Sequence, residues 1–169
     1  MVQSARPPHV FKLADIIPHG AVIVPLASTD REGVIREMVA ALAKNGGIPA
    51  ALEADIVQRV LDREKKASTG FGCGVAVPHA KHTAITRMAA AIGISPRGLD
   101  FTSLDRQPVF SVFLLVSPDD RPEDHLAAMD VIFRHHVSKE SFRRALRAAT
   151  NEDQVRALLA TTDDAHLLA

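Results

Sequence analysis

Residues 68–80, STGFGCGVAVPHA, join a glycine-rich loop to a short apolar strand that ends at Pro78 and His79. The run VAV at 75–77 is β-prone, and proline fixes its own φ and favours extended geometry in the residue before it. The pattern predicts a strand that ends with His79 at the edge of the core. An imidazole there is rigid and reachable, and its near-neutral pKa suits a nucleophile, a proton carrier or a metal ligand. An ordinary core histidine is the structural alternative.

Composition limits the classes of protein to which the chain can belong. With 169 residues, 47% of them hydrophobic, the chain fits one globular domain. Twenty basic residues balance twenty acidic ones, and Trp and Tyr are absent, which argues against a nucleic-acid binder. The apolar runs are too short to span a membrane, and the single Cys73 is typical of a reducing compartment. We therefore expect a cytoplasmic protein without membrane insertion.

Apolar periodicity and turn residues predict strands that alternate with helices along the chain. A flexible lead is expected at 1–10, a short element at 11–17, and strands at 21–26, 75–77, 89–95 and 109–117, the last apolar on both faces and therefore central. One helix follows a capping box at Thr29 and Glu32 and stops at Gly46, and others are predicted at 53–66, 122–136, 138–149 and 151–160. This interleaving indicates an α/β layer fold.

Three kinds of chemistry fit the residues around His79 poorly. His79, His82 and Cys73 match no metal-ligand spacing, so no metal site is predicted. A nucleotide-binding glycine loop follows a strand and opens a helix, whereas this loop follows a helix and feeds a strand. Ser68 and Ser111 lack the context of a nucleophilic serine. No cofactor is expected.

Phosphoryl chemistry at His79 fits the pattern best. A phosphohistidine needs an accessible ring nitrogen, donors for the phosphoryl oxygens and partial shielding from water. Arg63 can offer two aligned N–H groups, His125 a further donor, and Ser68 and Thr69 their hydroxyl groups. The structural alternatives are a solvated helix end for Arg63 and a polar residue at a helix start for His125.

Several segments share their order and spacing with one family. They are DREK at 62–65, STGFG at 68–72, VAVPH at 75–79, GLDF at 98–101, LD at 104–105, QPV at 107–109, FLL at 113–115, HL at 125–126 and LRAA at 146–149. Together they closely resemble the signature of the fructose/mannitol/nitrogen-type (type 2) enzyme IIA domains of the bacterial phosphoenolpyruvate-dependent phosphotransferase system. The resemblance covers residues 11–162, with a C-terminal tail at 163–169.

The resemblance implies a fold and a set of roles. The expected fold is a single domain with a mixed parallel and antiparallel sheet of about five strands, flanked by helices on both faces. His79 would accept a phosphoryl group from the carrier protein HPr and pass it to a cysteine of an enzyme IIB domain. His125 would be the second active-site histidine and Arg63 the phosphate-binding arginine, with Thr69 lining the pocket. Cys73 and His82 match no family active-site position.

Two functional hypotheses stay open at this point. In the first, the protein is a phosphoryl carrier in sugar uptake, a protein-histidine phosphotransferase component with HPr and a IIB domain as transient partners. In the second, it is a nitrogen-type regulator that binds target proteins and is switched by the charge that phosphorylation adds. A IIA domain handles only the phosphoryl group, so its residues do not specify a sugar.

Overall fold

The sheet is organised around strand β6 (Val109–Pro118), the apolar run predicted to be central. In the computed structural model, which describes residues 12–168, five α-helices surround a sheet of six strands. The other strands are β1 (Val22–Ile23), β2 (Gly70–Gly72), β3 (Val75–Ala76), β4 (His79–His82) and β5 (Ala89–Leu99). The α/β prediction is confirmed, with one strand more than expected. The proposed lead at 1–10 lies outside the described residues.

Both parallel and antiparallel pairs occur in the sheet. β5 lies antiparallel to β6 on one side, while β3 and β4 lie parallel to β6 on the other, one after the other along its length. β1 pairs parallel with β5, and β2 pairs antiparallel with β3. Because β6 is buried along almost its whole length, both of its faces are covered. The mixed sheet that the resemblance implied is confirmed.

Residues 68–80 differ locally from the prediction. The glycine loop is itself a strand, β2, which forms a hairpin with β3 through a turn in which Gly72, Cys73 and Gly74 all have positive φ. Glycine makes such a turn possible because it adopts positive φ without steric cost. The expected strand at 75–77 ends at Ala76, and a second strand starts at His79 after Pro78, whose nitrogen carries no proton to donate.

The first two long helices follow the predicted apolar spacing. They are α1 (Arg31–Lys44) and α2 (Glu53–Lys66), and each buries one stripe of aliphatic side chains in the core. The capping box predicted at Thr29 and Glu32 is wrong. Asp30 is the N-cap, since its carboxylate accepts a hydrogen bond from Gly33 N at 2.7 Å, and Glu32 instead pairs with Arg36. An aspartate is as good an N-cap as threonine, so position alone decides between them.

The strands on the other side of β6 also differ in length from the prediction. β1 covers only two residues of the expected 21–26, because Pro25 interrupts it before Leu26 N bonds to Ile94 O at 2.8 Å. β5 continues beyond Ser95 to Leu99, through a shift of register between Ile94 and Leu99. Residues 96–98, PRG, whose proline and glycine favour a turn, therefore lie within the irregular part of β5.

The C-terminal third is helical, as predicted, with two changes. The helix expected at 122–136 consists of α3 (Pro122–Asp130) and a π-helical segment, Val131–Val137, and α4 (Glu140–Ala148) follows it. The last helix, α5 (Glu152–Leu168), runs eight residues beyond the expected end at Ala160, so residues of the expected tail continue it. No helix of residues 12–168 is long and apolar enough to cross a membrane.

Candidate functional site

His79 stands at the start of β4, where the chain leaves Pro78 and joins β6 opposite Leu115. Its Nδ1 lies 2.9 Å from the carbonyl oxygen of Val77. A carbonyl oxygen only accepts hydrogen bonds, so Nδ1 carries the proton of the neutral ring and Nε2 keeps its lone pair. The backbone therefore leaves Nε2 as the nucleophilic nitrogen of a half-buried imidazole.

The surroundings of His79 favour the neutral ring. Burial lowers its pKa below the ordinary value of 6.5, although the hydrogen bond to Val77 O opposes this. The nearby charges of Arg63 and Lys81 lower the pKa further, while Glu64 raises it. At neutral pH the ring therefore presents a lone pair and not a second N–H.

His125 lies beside His79 on another element. It is in the first turn of α3, is only 5% exposed, and its ring centroid lies 5.3 Å from that of His79. Its Nδ1 is 2.7 Å from the hydroxyl oxygen of Ser117, near the end of β6. Burial, followed by the neighbouring His79 and Lys81, lowers the pKa of His125 to about 4. This second ring is therefore also neutral at physiological pH.

An open pocket of about 620 Å³ connects the two histidines. Four basic side chains and one acidic side chain line it, together with Leu126 and Met129; the charged residues are Arg59, Asp62, Arg63, Lys66 and Lys81. One nitrogen of Arg63, Nη1, donates to Ala67 O at 2.8 Å, which holds the side chain against the end of α2. A neutral nucleophile in a pocket with excess positive charge suits the transfer of an anionic group.

The structure separates the two predicted hydroxyl ligands from this pocket. The Ser68 hydroxyl donates to Phe101 O at 2.8 Å and accepts from Gly70 N at 3.0 Å. The hydroxyl and the backbone N–H of Thr69 both bond to the buried carboxylate of Glu64. Neither residue is among those that line the pocket. The structure brings together His79, His125 and Arg63, and phosphate contacts by Ser68 and Thr69 stay predictions.

Three basic residues of the pocket, and one residue that supports His125 from outside it, were not identified from the sequence. Arg59 and Lys66 flank Arg63 at helical spacings of four and three on α2, a pattern that could have indicated them. Lys81 is two residues from His79 on the same strand, so both point to one side of the sheet. Ser117 had no local signal, because its partner is eight residues away across a loop.

The two remaining candidate residues have other surroundings. His82 is buried, and its Nε2 lies 2.5 Å from Asp55 while its Nδ1 accepts from Ala84 N at 2.9 Å, so both nitrogens are occupied. Cys73 is exposed and lies in a separate pocket beside Arg143, Arg144 and Arg147. Within residues 12–168 no group of three potential ligands from His, Cys, Asp and Glu is arranged to hold a metal ion.

Curated relatives share most of this chain. A fructose-specific EIIABC component of the phosphotransferase system from Bacillus subtilis is 33% identical over 148 residues, which are 86% of this chain but only 22% of that protein. A nitrogen regulatory protein from Bradyrhizobium diazoefficiens is 30% identical over 88% of this chain and 94% of its own length. This chain therefore spans about a fifth of the first relative and nearly all of the second.

Solved structures and a family model agree with these relatives. The nitrogen regulatory protein IIA-Ntr from Neisseria meningitidis superposes with a TM-score of 0.78 at 25% identity, over 87% of this chain and 98% of that one. Enzyme IIA mannitol from Escherichia coli, solved in complex with phosphorylated enzyme IIB mannitol, shares the fold with a TM-score of 0.70 at 22% identity, over 84% of this chain and 95% of that one. The family model for EIIA 2 of the phosphoenolpyruvate-dependent sugar phosphotransferase system matches residues 15–161. The chain belongs to this EIIA 2 family.

Proposed function

We propose that the protein is a phosphoryl carrier that accepts a phosphoryl group on Nε2 of His79 from an HPr-type protein and passes it to a cysteine of a IIB-type domain. The observation that carries this proposal is the Nδ1 contact of His79 with Val77 O at 2.9 Å, which leaves Nε2 unprotonated beside a basic pocket. The lone pair of Nε2 attacks the phosphorus atom, and the bond between phosphorus and the donor breaks as the new bond forms.

The basic residues of the pocket support both steps of this reaction. As the phosphoryl group moves, its three equatorial oxygens carry negative charge, which Arg63 and its basic neighbours can stabilise. The phosphorylated ring keeps its Nδ1 proton on Val77 O, so the imidazole does not need to rotate between acceptance and transfer. In the second step a thiolate attacks the same phosphorus atom, and the Nε2–phosphorus bond breaks. We place this exchange in the cytoplasm, where an exposed thiol such as Cys73 stays reduced.

A regulatory role is the second candidate function. The nitrogen regulatory protein IIA-Ntr superposes on this chain with a TM-score of 0.78, against 0.70 for enzyme IIA mannitol. In this alternative the same phosphohistidine forms, and the added negative charge changes the binding of a target protein. Transfer of label from the phosphorylated protein to a purified IIB domain supports the carrier role. A stable phosphohistidine with no transfer to any such domain supports the regulator.

Labelling with phosphoenolpyruvate, enzyme I and HPr tests the shared chemistry. We expect the wild-type protein to gain a single acid-labile, base-stable phosphoryl group, and His79→Ala and His79→Gln to gain none. His19→Ala is the matched control, since His19 is exposed and does not line the pocket. It should be labelled like wild type. Full labelling of a folded His79→Gln variant would contradict the proposal.

A further inference from the structure

Ser117 has a buried hydroxyl group that hydrogen-bonds to His125 of the site and not to His79, the proposed nucleophile. It is 0% exposed near the end of β6, where it pairs with Lys81 of β4. Its Oγ lies 2.7 Å from Nδ1 of His125. Among the described residues the Ser117 side chain has no other hydrogen-bond partner. Two buried polar groups on different elements therefore depend on each other.

The chemistry of the pair fixes the direction of this hydrogen bond. A serine hydroxyl has one proton to donate, and a buried donor without an acceptor is unfavourable. If Nδ1 carried the ring proton, it would donate to Oγ and the hydroxyl proton would be left without an acceptor. If the hydroxyl donates to Nδ1, both groups are satisfied. The second arrangement puts the ring proton of His125 on Nε2.

The location of that proton matters to a phosphoryl group on His79. Because burial, followed by the neighbouring His79 and Lys81, lowers the pKa of His125 to about 4, the ring has a single N–H at neutral pH. In the arrangement set by Ser117, this N–H is on the nitrogen away from Ser117 and can donate to a phosphoryl oxygen in the shared pocket. The opposite tautomer would direct a lone pair at negatively charged oxygens.

We propose that Ser117 is a positioning residue that holds His125 in the Nε2–H tautomer, so that His125 donates a hydrogen bond to the phosphoryl group carried by His79. This inference rests on the proposed function for its role in transfer. The tautomer itself is a property of the unphosphorylated protein. His79 and His125 then have complementary protonation, with a lone pair on Nε2 of one and a proton on Nε2 of the other.

Nitrogen-15 NMR of the histidine rings in the isolated protein tests the tautomer directly. We expect wild-type His125 to be protonated on Nε2, and Ser117→Ala to populate both tautomers. Ser117→Thr, which keeps a hydroxyl, should restore the wild-type spectrum. Ser111→Ala is the matched control, because Ser111 is also buried on β6 but lies away from His125. A wild-type ring protonated on Nδ1, or an unchanged tautomer in Ser117→Ala, would overturn the proposal.

Transfer kinetics test what the tautomer does. The rate of labelling by HPr should fall on the order of tenfold in Ser117→Ala, approach the rate of His125→Ala, and stay at the wild-type level in Ser111→Ala. Wild-type transfer by Ser117→Ala would overturn the positioning role. If wild-type protein is not labelled at all, the proposed function fails with the positioning role, while the NMR result for the tautomer stands separately.

Discussion

At the scale of single residues, different hydrogen-bond partners give two similar histidines different surroundings. The Val77 carbonyl fixes the proton of His79 on Nδ1, while the Ser117 hydroxyl contacts Nδ1 of His125. Both rings have lowered pKa values, mainly because burial disfavours the charged form. The site therefore keeps two neutral imidazoles among several cationic side chains.

The lowered pKa values predict how the site responds to pH. NMR titration of the isolated protein should give midpoints below 6.5 for both rings, near 4 for His125. Nε2 of His79 should thus stay unprotonated, and phosphoryl acceptance should persist, as the pH falls through 6.5 towards the lowered pKa. A midpoint for His79 at or above 6.5 would contradict this prediction.

The same shift links stability to pH. The unfolded chain binds a proton at His125 near pH 6.5, whereas the folded protein binds it only near pH 4. The contribution of neutral His125 to the free energy of unfolding is therefore complete above pH 6.5. It is lost as the pH falls towards 4, on the order of 3 kcal/mol in total. The free energy of unfolding, measured by urea titration at several pH values, should fall more steeply with decreasing pH within this window for wild type than for His125→Gln.

Sequence patterns predicted which residues line the pocket better than they predicted the contacts that support those residues. His79, His125 and Arg63 could be predicted because each belongs to a motif with a fixed place on an element. Thr69 shows why the rest was harder: its described partner is Glu64, a carboxylate that is 2% exposed on α2. An acidic residue in a helical pattern normally faces solvent, so the sequence gives no sign of this buried contact.

At the scale of elements, α2 supplies the pocket with positive charge. Arg59, Arg63 and Lys66 lie within two turns on one face of the helix, and all three line the pocket. The last two also lie in the final turn, where cations interact favourably with the helix dipole. The helix end thus tolerates the positive charge that the proposed phosphoryl binding requires.

This arrangement predicts a specific loss in Arg63→Ala. Transfer from HPr should slow on the order of a hundredfold, because the proposed donor to the phosphoryl oxygens is removed. Stability should fall by only about 1 kcal/mol, from the lost bond to Ala67 O. Arg63→Lys keeps the positive charge but loses the planar pair of donors, so its transfer rate should lie between those of wild type and Arg63→Ala. Labelling rates and urea unfolding measure both effects.

A control variant separates the role in the pocket from general surface charge. Arg36 is also helical and exposed, with a surface pair to Glu32, but does not line the site. Arg36→Ala should transfer phosphate at the wild-type rate and lose less than about 1 kcal/mol. Equal transfer rates for Arg63→Ala and wild type would show that Arg63 has only a structural role at the end of α2.

At the scale of the whole molecule, the order of elements was predictable, whereas contacts between the chain's ends were not. The apolar run at 109–117 could be placed at the centre because it is apolar on both faces. The C-terminal extension of α5 was missed because residues 161–166, TTDDAH, are mostly polar and show no apolar stripe. Asp163 connects them to the rest of the fold, and one of its partners, Leu13, is 150 residues away in the chain.

Asp163 joins three distant parts of the fold. Its two carboxylate oxygens accept from Leu13 N and Ala14 N, each at 3.0 Å, and Oδ1 also lies 2.9 Å from Nε2 of His136 in the π-helical segment. Asp163 and His136 are both 0% exposed. Burial alone would raise the pKa of Asp163, but the hydrogen bonds from His136, Ala14 and Leu13 outweigh it and lower the pKa.

Asp163→Asn should therefore destabilise the whole fold while leaving the distant site intact. An amide offers one acceptor atom where the carboxylate offers two, so at least one buried donor loses its partner. We expect a loss of about 3 kcal/mol, the cost typical of breaking a buried charged contact. Asp164→Asn is the matched control, because Asp164 is on the same helix but pairs with Lys12 at the surface. It should lose less than about 1 kcal/mol. Equal urea midpoints for the two variants would show that Asp163 does not hold the ends together, and labelling of His79 in the folded fraction of Asp163→Asn should match wild type.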